Sequence, residues 1–287
     1  MKRFLSLVKF SHTIFAMPFA VIGFFLAYLK LGETFEPKVF FLILLCMILA
    51  RNAAMGFNRF LDRNIDARNP RTAGREIPAG IISSRSALTF VLLNAGLFIL
   101  TTWFINTRVF LLSPIALLVI LGYSYTKRFT WLCHFVLGAG LGLGPLGAYL
   151  AAGGNFDTIP ILYAFAVMFW VAGFDIIYAL QDQEFDKKNQ LNSVPVLLGT
   201  QKALNLSSFL HLFASIFILF AIYLQGATFP VFGWLQWMAA GIFISLLIYQ
   251  HTLIKSDDLS KVNLAFFTTN GLASLVFGSL IVLDIFF

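Results

Sequence analysis

The sequence predicts an all-α fold, a polytopic membrane bundle of about nine transmembrane helices. Of its 287 residues, 59% are hydrophobic and only 11% are charged, whereas a soluble domain has about 25% charged residues. The mean hydropathy is +0.86, and apolar segments of about 20 residues, the length that crosses a bilayer, recur along the chain. This composition excludes a disordered, a collagen-like or a disulfide-rich protein.

Apolar windows define the predicted spans, and only short loops separate most of them. The windows cover residues 12–30, 38–57, 87–105, 109–126, 130–151, 159–180, 205–225, 229–250 and 264–286. Two longer connections, 58–86 and 181–204, hold most of the polar residues. We therefore treat 1–287 as a single transmembrane domain and look for its function in these two loops.

The basic residues predict which way the chain crosses the membrane. The net charge of +7 would suggest nucleic acid in a soluble protein, but Lys and Arg collect in the cytoplasmic loops of membrane proteins. With the N-terminus in the cytoplasm, 17 basic residues fall on the cytoplasmic side and three on the other, Lys30, Lys38 and Arg108. We expect both polar loops in the cytoplasm, the lipid bilayer as surroundings, and neither a nucleic-acid partner nor an obligate protein partner.

The cysteines and histidines do not form a metal site in the sequence. Cys46 and Cys133 lie in apolar windows without a Cys-x-x-Cys partner, so neither a disulfide framework nor a zinc site is predicted. The four histidines are scattered without metal-ligand spacing, and at least three should be structural. They are His12, His134, His211 and His251.

Each polar loop begins with an acidic motif that continues from a membrane helix. The motifs contain Asn58, Asp62 and Asp66, and then Asp175, Tyr178, Asp182 and Asp186. Steps of four residues place each series on one helical face, where the carboxylates repel one another and oppose the helix macrodipole. A divalent cation removes this objection, because Mg²⁺ is held by one or two carboxylates together with phosphate oxygens. The alternative is that these are solvated loop acids brought together by chance.

The two motifs are related by a constant offset. Adding 120 to the numbers of Asn58, Asp62 and Asp66 gives 178, 182 and 186, each after a span four helices further on. An even number of helices returns the chain to the same side of the membrane, so both motifs can converge on one site. The pattern indicates a possible parallel internal repeat of about four helices.

Basic residues follow the motifs on the same predicted face. Arg68, Arg71 and Arg75 lie in ARNPRTAGREIPAG, and Lys127 and Arg128 lie in YSYTKR. Carboxylates with metal on one side and guanidinium or ammonium groups on the other form a clamp for a diphosphate. The positive-inside rule alone would explain any single base, and we favour Arg71, Arg75 and Lys127 as functional.

Asp175 differs from the other acids because it lies within a predicted span. An ionisable side chain there is a functional candidate by default. The alternative is that it fixes the helix end through a hydrogen bond to Tyr178 or to a loop donor.

Three stretches together, NRFLDRNIDARNPRTAGREIPAG, YSYTKR and DIIYALQDQEFD, resemble the UbiA superfamily of intramembrane aromatic prenyltransferases. Within it the chain is similar to the bacterial 4-hydroxybenzoate polyprenyltransferase group. The resemblance implies a bundle with a central cavity and cytoplasmic cap loops in the bacterial inner membrane. It also implies Mg²⁺-dependent transfer of a polyprenyl group from polyprenyl diphosphate to a small aromatic acid, such as 4-hydroxybenzoate, in ubiquinone biosynthesis.

The resemblance also assigns roles to residues of this sequence. Asn58 would bind substrate, and Asp62, Asp66, Asp182 and Asp186 would be catalytic and hold Mg²⁺ through the diphosphate. Contacts to substrate would come from Arg71, Arg75, Lys127, Asp175 and Tyr178. One segment departs from the group, which often carries Arg in R-x-D-K-P-I-G before the first span. Here an acceptor carboxylate would meet Lys9 or His12 instead, and Lys lacks the bidentate fork of Arg.

Other acceptors and other classes of protein remain open from the sequence. Because of the departure at Lys9 and His12, a naphthoate acceptor on a menaquinone route is an alternative. A cation-coupled secondary transporter would also have buried acids and an internal repeat, but near the membrane midplane and in broken helices. A phosphatidyltransferase would need D-G-x-x-A-R, which is absent.

The predicted reaction requires stabilisation of charge on both products of ionisation. Metal and cationic groups would take up the charge of the leaving diphosphate. Phe and Tyr faces would attract the allylic cation, but the sequence does not indicate which of its 34 Phe residues do so.

Overall fold

The structure is a computed structural model that describes residues 6–7, 15–32 and 35–287. These residues contain no strand, only an isolated bridge between Lys255 and Asp258, which confirms the all-α prediction. The longer helices are α1 (Met17–Leu31), α2 (Pro37–Asp66), α3 (Ser84–Trp103), α4 (Thr107–Thr126), α5 (Cys133–Ala151) and α6 (Thr158–Ala179). They continue as α7 (Gln183–Lys188), α8 (Val194–Leu198), α9 (Thr200–Thr228), α10 (Leu235–Leu253) and α11 (Asn270–Leu283).

Seven helical segments of the described chain are long and apolar enough to cross a membrane. They are α2, α3, α4, α5, Thr158–Lys188, α9 and Leu264–Leu283. The apolar helix α1 has 15 residues, and α10 carries polar residues near both ends, including Gln236 and Gln250. The protein is thus a multi-pass membrane bundle, and the total of nine spans stays a prediction.

The helices pack in a closed arrangement in which α6 contacts α5 on one side and α9 on the other. Helix α1 packs against α5 and also against α11, so the first and last described helices meet. Glycines allow a close approach of α5 to α6: a Cβ atom at Gly138 would clash with the carbonyl oxygen of Met168, and one at Gly142 would lie 2.6 Å from that of Ala164. Small residues commonly permit such contacts between membrane helices.

Fully buried aromatic rings join four of these helices. Phe19 of α1 stacks on Phe277 of α11 with ring centroids 5.3 Å apart, and lies 5.6 Å from Trp170 of α6. Phe243 of α10 completes the cluster. On the outer surface large apolar side chains stay exposed, Leu118 at 74% for example, as expected for a face in contact with lipid.

The loop between α2 and α3, residues 67–83, folds back over the helix ends as a cap. Its side chains Asn69, Thr72 and Ile77 are buried, and Gly80 adopts a left-handed φ of 73° in the turn before α3. Ser83 then begins α3 by accepting a hydrogen bond from the backbone N–H of Ser86 at 3.1 Å. This path directs the polar loop towards the helices and not towards solvent.

The second acidic motif does not lie on one regular helix. Helix α6 ends at Ala179, a 3₁₀ turn covers Leu180–Asp182, and α7 follows. A 3₁₀ turn has fewer residues per turn than an α-helix. Tyr178, Asp182 and Asp186 therefore do not follow one another along a single α-helical face. The first motif, in contrast, lies entirely within α2.

Candidate active site

A polar cavity of about 260 Å³ lies where both acidic motifs end. We call it the polar cavity; α2, the cap loop, α4, α5, α6, α7 and the segment 264–269 contribute to it. Its charged lining is Asp66, Asp175, Asp182 and Asp186 with Arg51, Arg59, Arg71, Arg75 and Lys127. Residues distant in sequence therefore form one site of mixed charge.

The second motif is tied to the cap loop through Asp182. Arg71 donates from Nε to Asp182 Oδ1 at 2.9 Å, and its Nη2 also contacts Asp182 Oδ2. Asn69 donates to the same Oδ1 at 2.8 Å, and Arg71 Nη1 donates to the Tyr178 hydroxyl at 3.0 Å. Asp182 is thereby held by two cap-loop residues, which brings the two motifs together.

The remaining motif acids also have basic partners. Arg75 Nη1 lies 2.6 Å from Asp66 Oδ1, and Lys127 Nζ lies 2.8 Å from Asp186 Oδ2. Arg128 Nη2 lies 2.7 Å from Asp62 Oδ1. Each of these motif acids therefore has one basic partner, which offsets the repulsion between carboxylates expected from the spacing.

Asp62 and Asn58 are hydrogen-bonded to each other, and only Asn58 lines the polar cavity. Asn58 lines the polar cavity and donates to Asp62 Oδ2 at 3.2 Å. Asp62 itself is not part of the lining, and its carboxylate accepts hydrogen bonds from Arg128 and Asn58. Arg128, which the sequence analysis did not favour, thus holds the first motif acid.

Burial and ion pairing act in opposite directions on Arg71, which lies in the cap loop. Burial lowers the pKa of its guanidinium, but the hydrogen bonds and charge of Asp182, together with those of Tyr178, raise the pKa above its usual value. Arg71 is therefore charged at any physiological pH.

Two motif carboxylates have oxygens left over that fit a metal ion. Asp66 Oδ2 and Asp186 Oδ1 are buried and have no hydrogen-bond partner among the described residues. Within the same residues no three His, Cys, Asp or Glu side chains are close enough to hold a metal alone. The donor set therefore fits a hard cation that takes its other ligands from a phosphate group.

Asp175 pairs with a histidine that the sequence analysis counted among the scattered ones. His134 Nδ1 lies 2.7 Å from Asp175 Oδ2, and His134 Nε2 accepts the backbone N–H of Val194 at 3.3 Å. The bond from Val194 assigns the ring proton to Nδ1, so His134 donates to Asp175. This partner replaces Tyr178, and no feature of the sequence pointed to it.

Arg51 and Arg59 are two further cations of the polar cavity that the sequence analysis missed. The Nε atom of each is buried without a hydrogen-bond partner, and neither forms a salt bridge within the described part of the chain. A signal existed for Arg51, since it lies inside the window 38–57, where a charge indicates function. A buried guanidinium nitrogen without a partner beside a cavity fits a bound anion.

Of the other predicted bases, Arg68 does not line the polar cavity. Arg68 is exposed and donates to the Asn64 carbonyl at 3.2 Å, which fits a purely topological charge. Lys9 and His12 lie outside the described residues, so their assignment to an acceptor carboxylate stays a prediction. Both cysteines are buried and unpaired.

An apolar cavity of about 330 Å³ adjoins the polar one. It lies among α2, α3, α4 and α5 and is lined mainly by aliphatic side chains. The two cavities share Arg51, Met55, Tyr123, Leu137 and Leu141 at their junction. A membrane bundle with a charged cavity beside an apolar one belongs to the class of membrane proteins suited to amphiphilic, anionic molecules.

Comparison with known proteins assigns the family. The family model for the UbiA prenyltransferase family matches residues 16–272, and the chain belongs to that family. The resemblance stated from the three motif stretches is thereby confirmed, as is the prediction of an intramembrane polyprenyltransferase. This result also removes the transporter and phosphatidyltransferase alternatives.

Individual relatives cover nearly the whole chain. A 4-hydroxybenzoate octaprenyltransferase of Photobacterium profundum is 29% identical over 96% of this chain and 94% of its own. One from Nitrosomonas eutropha is 30% identical over 86% and 84%. The apo structure of a UbiA homolog from Aeropyrum pernix K1 superposes with a TM-score of 0.85 at 31% identity, covering 96% of this chain and 98% of that one.

A more distant structure shares the fold. The UbiA homolog from Archaeoglobus fulgidus, solved bound to GPP and Mg²⁺, superposes with a TM-score of 0.71 at 21% identity. The match covers 99% of this chain and 100% of that one.

Proposed function

We propose that this protein transfers a polyprenyl group from polyprenyl diphosphate to a small aromatic acid in quinone biosynthesis. The observation that carries the proposal is the junction of the two cavities, which includes Arg51, Met55 and Tyr123. A polyprenyl diphosphate has a charged head joined to a long apolar tail, so it requires both environments side by side. The names of the curated relatives support the same reaction.

The diphosphate would occupy the polar cavity between the two motifs. Arg71, Arg75 and Lys127 would exchange their carboxylate partners for phosphate oxygens, because guanidinium and ammonium groups bind both kinds of oxygen. Asn58 and Tyr178 would supply neutral hydrogen bonds beside them. Asp62 would not contact the diphosphate itself but would hold Arg128 and Asn58 in place.

Mg²⁺ would be held by the carboxylates with free oxygens, Asp66 and Asp186, with Asp182 beside them. Bound there with the diphosphate, the ion would neutralise the charge that develops on the leaving group. The metal-bound homolog supports this requirement. The residues of the chain then orient the head group and exclude water from it.

The acceptor would be an aromatic acid, with 4-hydroxybenzoate as the first candidate and a naphthoate as the alternative. Arg51 and Arg59, whose Nε atoms have no partner, would balance negative charge that a bound substrate brings into the cavity. A carboxylate on the acceptor ring or a phosphate oxygen would carry that charge. Asp175, held by His134, would accept a hydrogen bond from a ring hydroxyl, and Lys9 and His12 remain predicted contacts.

The proposed setting is the bacterial inner membrane, with the active site facing the cytoplasm and the N-terminus on the same side. The 17 to 3 division of basic residues supports this orientation. We also propose that 1–287 form one domain with a parallel repeat of the motifs at 58–66 and 178–186. The contact between α1 and α11 supports a single bundle.

The test uses the full-length protein in lipid nanodiscs. Radiolabelled geranyl and longer prenyl diphosphates are incubated with hydroxybenzoates and dihydroxynaphthoates, with Mg²⁺ and with EDTA. We expect one acceptor class to become prenylated only with Mg²⁺. Absence of transfer to every acceptor, or equal transfer in EDTA, would contradict the proposal.

Matched variants of the acids separate a site effect from a general charge effect. Asp182→Asn should abolish transfer, whereas Asp257→Asn should not, because Asp257 is exposed in the loop after α10. Equal activity of the two variants would remove the second motif from the mechanism.

A further inference from the structure

Aromatic rings form one side of the polar cavity, directly next to the charged groups. We call these rings the aromatic wall: Phe15, Phe174, Tyr178, Phe266 and Phe267. Phe15 and Phe174 are buried and also belong to the core that contains Phe19 and Phe277, so the wall continues that core to the edge of the cavity. The two rings from the last span are only partly buried because they border the cavity.

The wall is a continuous set of ring contacts centred on Phe266. The Tyr178 ring stacks on it with centroids 4.2 Å apart, and Phe174 and Phe267 meet it edge-on at 5.2 and 4.6 Å. Tyr178 also accepts a hydrogen bond from Arg71, whose guanidinium carbon lies 5.2 Å from the ring centroid. The aromatic wall thus begins at the pair between Arg71 and Asp182.

A π-helical turn presents the two phenylalanines together. Leu264–Thr269 is a π-helix at the start of the last span. Such turns are rare in proteins, and those that occur are often found at functional sites. A wider turn reduces the rotation between successive residues, so Phe266 and Phe267 both reach the same cavity. A regular α-helix would rotate one of them further away.

A buried asparagine stabilises this turn. The Asn270 side chain, 0% exposed, donates to the carbonyl oxygens of Ala265 at 3.1 Å and Phe266 at 3.0 Å. Its Oδ1 accepts the indole N–H of Trp170 at 2.9 Å. Asn270 therefore satisfies carbonyls at the π-turn and fixes it to α6.

We propose that the aromatic wall shields the allylic cation from water during transfer, and that Asn270 is a positioning residue for its two phenylalanines. This inference rests on the proposed function. The C–O bond of the prenyl diphosphate breaks, and its electron pair leaves with the diphosphate. The cation then forms a carbon–carbon bond with the acceptor ring, whose displaced proton passes to a carboxylate of the site or to the released diphosphate.

Water competes for the same cation. Attack by water would give a prenyl alcohol and a proton, so the ratio of alcohol to prenylated acceptor reports how well the cation is protected. Aromatic faces attract the cation and hold it against the wall, whereas the smaller leucine attracts it less and leaves room for water beside it.

The experiment compares Phe266→Leu, Phe267→Leu and Asn270→Ser with the wild type in nanodiscs, measuring both products from one labelled prenyl diphosphate. We expect the ratio of alcohol to prenylated acceptor to rise about 10-fold or more. The control is Phe217→Leu, which removes a ring stacked on Phe165 and Phe169 away from the cavity. Its product ratio should equal that of the wild type.

Further variants and measurements make the outcome decisive. Phe266→Tyr keeps the aromatic face and should keep the ratio, even where Phe266→Leu reduces the amount of folded protein. A slower reaction with an unchanged ratio in all three variants would overturn the inference and leave the proposed function standing. Failure of the wild type to transfer to any acceptor would instead contradict the proposed function.

Discussion

The contact between Arg71 and Asp182 is the sharpest test of how the cap loop and the second motif cooperate. Arg71→Leu removes a two-point contact to Asp182 and the bond to Tyr178. A hydrogen bond to a charged group contributes about 1.5–3 kcal/mol to stability. The Arg71 side chain is 30% exposed and that of Asp182 is 12% exposed, so water replaces part of what is lost.

We therefore expect a coupling energy of about 1–3 kcal/mol between the two positions, below the value for a fully buried pair that loses one partner. It is obtained from a double-mutant cycle of Arg71→Leu, Asp182→Asn and the double variant, by equilibrium unfolding in detergent without ligand. Arg68→Leu is the control, because Arg68 has no acidic partner in the described chain and is exposed.

The same cycle with Mg²⁺ and inorganic diphosphate tests the exchange of partners. If Arg71 binds phosphate oxygens in place of Asp182, the ligand should stabilise the wild type more than Arg71→Leu. The coupling energy between Arg71 and Asp182 should then be smaller with the ligand than without it. A coupling within about 0.5 kcal/mol of zero without ligand, or one unchanged by the ligand, would refute the reasoning.

Further outcomes follow from the other pairs. Lys127→Ala should lower kcat/KM for the prenyl diphosphate about 10- to 150-fold, equivalent to about 1.5–3 kcal/mol, with little change in the acceptor KM; a change confined to the acceptor would mean that Lys127 binds the other substrate. Asp186→Asn should reduce turnover at least about 100-fold while the protein stays folded, and wild-type turnover would exclude Asp186 as a metal ligand. Arg59→Gln should weaken binding of an anionic substrate, whereas Arg63→Gln, one turn further on α2 and bonded to the Phe60 carbonyl, should not. Reporter fusions after Asn155 and after Leu198 should give opposite sides of the membrane, and agreement between them would reject the predicted topology.

Local patterns carried the predictions that succeeded. Uninterrupted apolar segments predict membrane helices because a bilayer satisfies no backbone hydrogen bonds, and the long helices lie close to the predicted windows. The spacing of Asn58, Asp62 and Asp66 indicated one helical face, and all three lie on α2. The second motif was predicted to lie on one helical face, but the helix ends at Ala179 and a 3₁₀ turn follows. The spacing of Tyr178, Asp182 and Asp186 is the same as in the first motif and does not indicate that turn.

The sequence by itself determined the class of fold, the two polar loops, and the motif acids with Arg71, Arg75 and Lys127 as candidate residues. These features follow from composition and short-range spacing, which are properties of each segment alone. Only the tertiary structure decided which base neutralises which acid, since Arg71 and Asp182 lie 111 residues apart and meet through the fold of the cap loop. It alone also decided that His134 supports Asp175, that the Nε atoms of Arg51 and Arg59 have no partner, and that Phe266 and Phe267 reach the cavity. Each of these depends on contacts between separate helices, and the packing of the whole bundle sets such contacts.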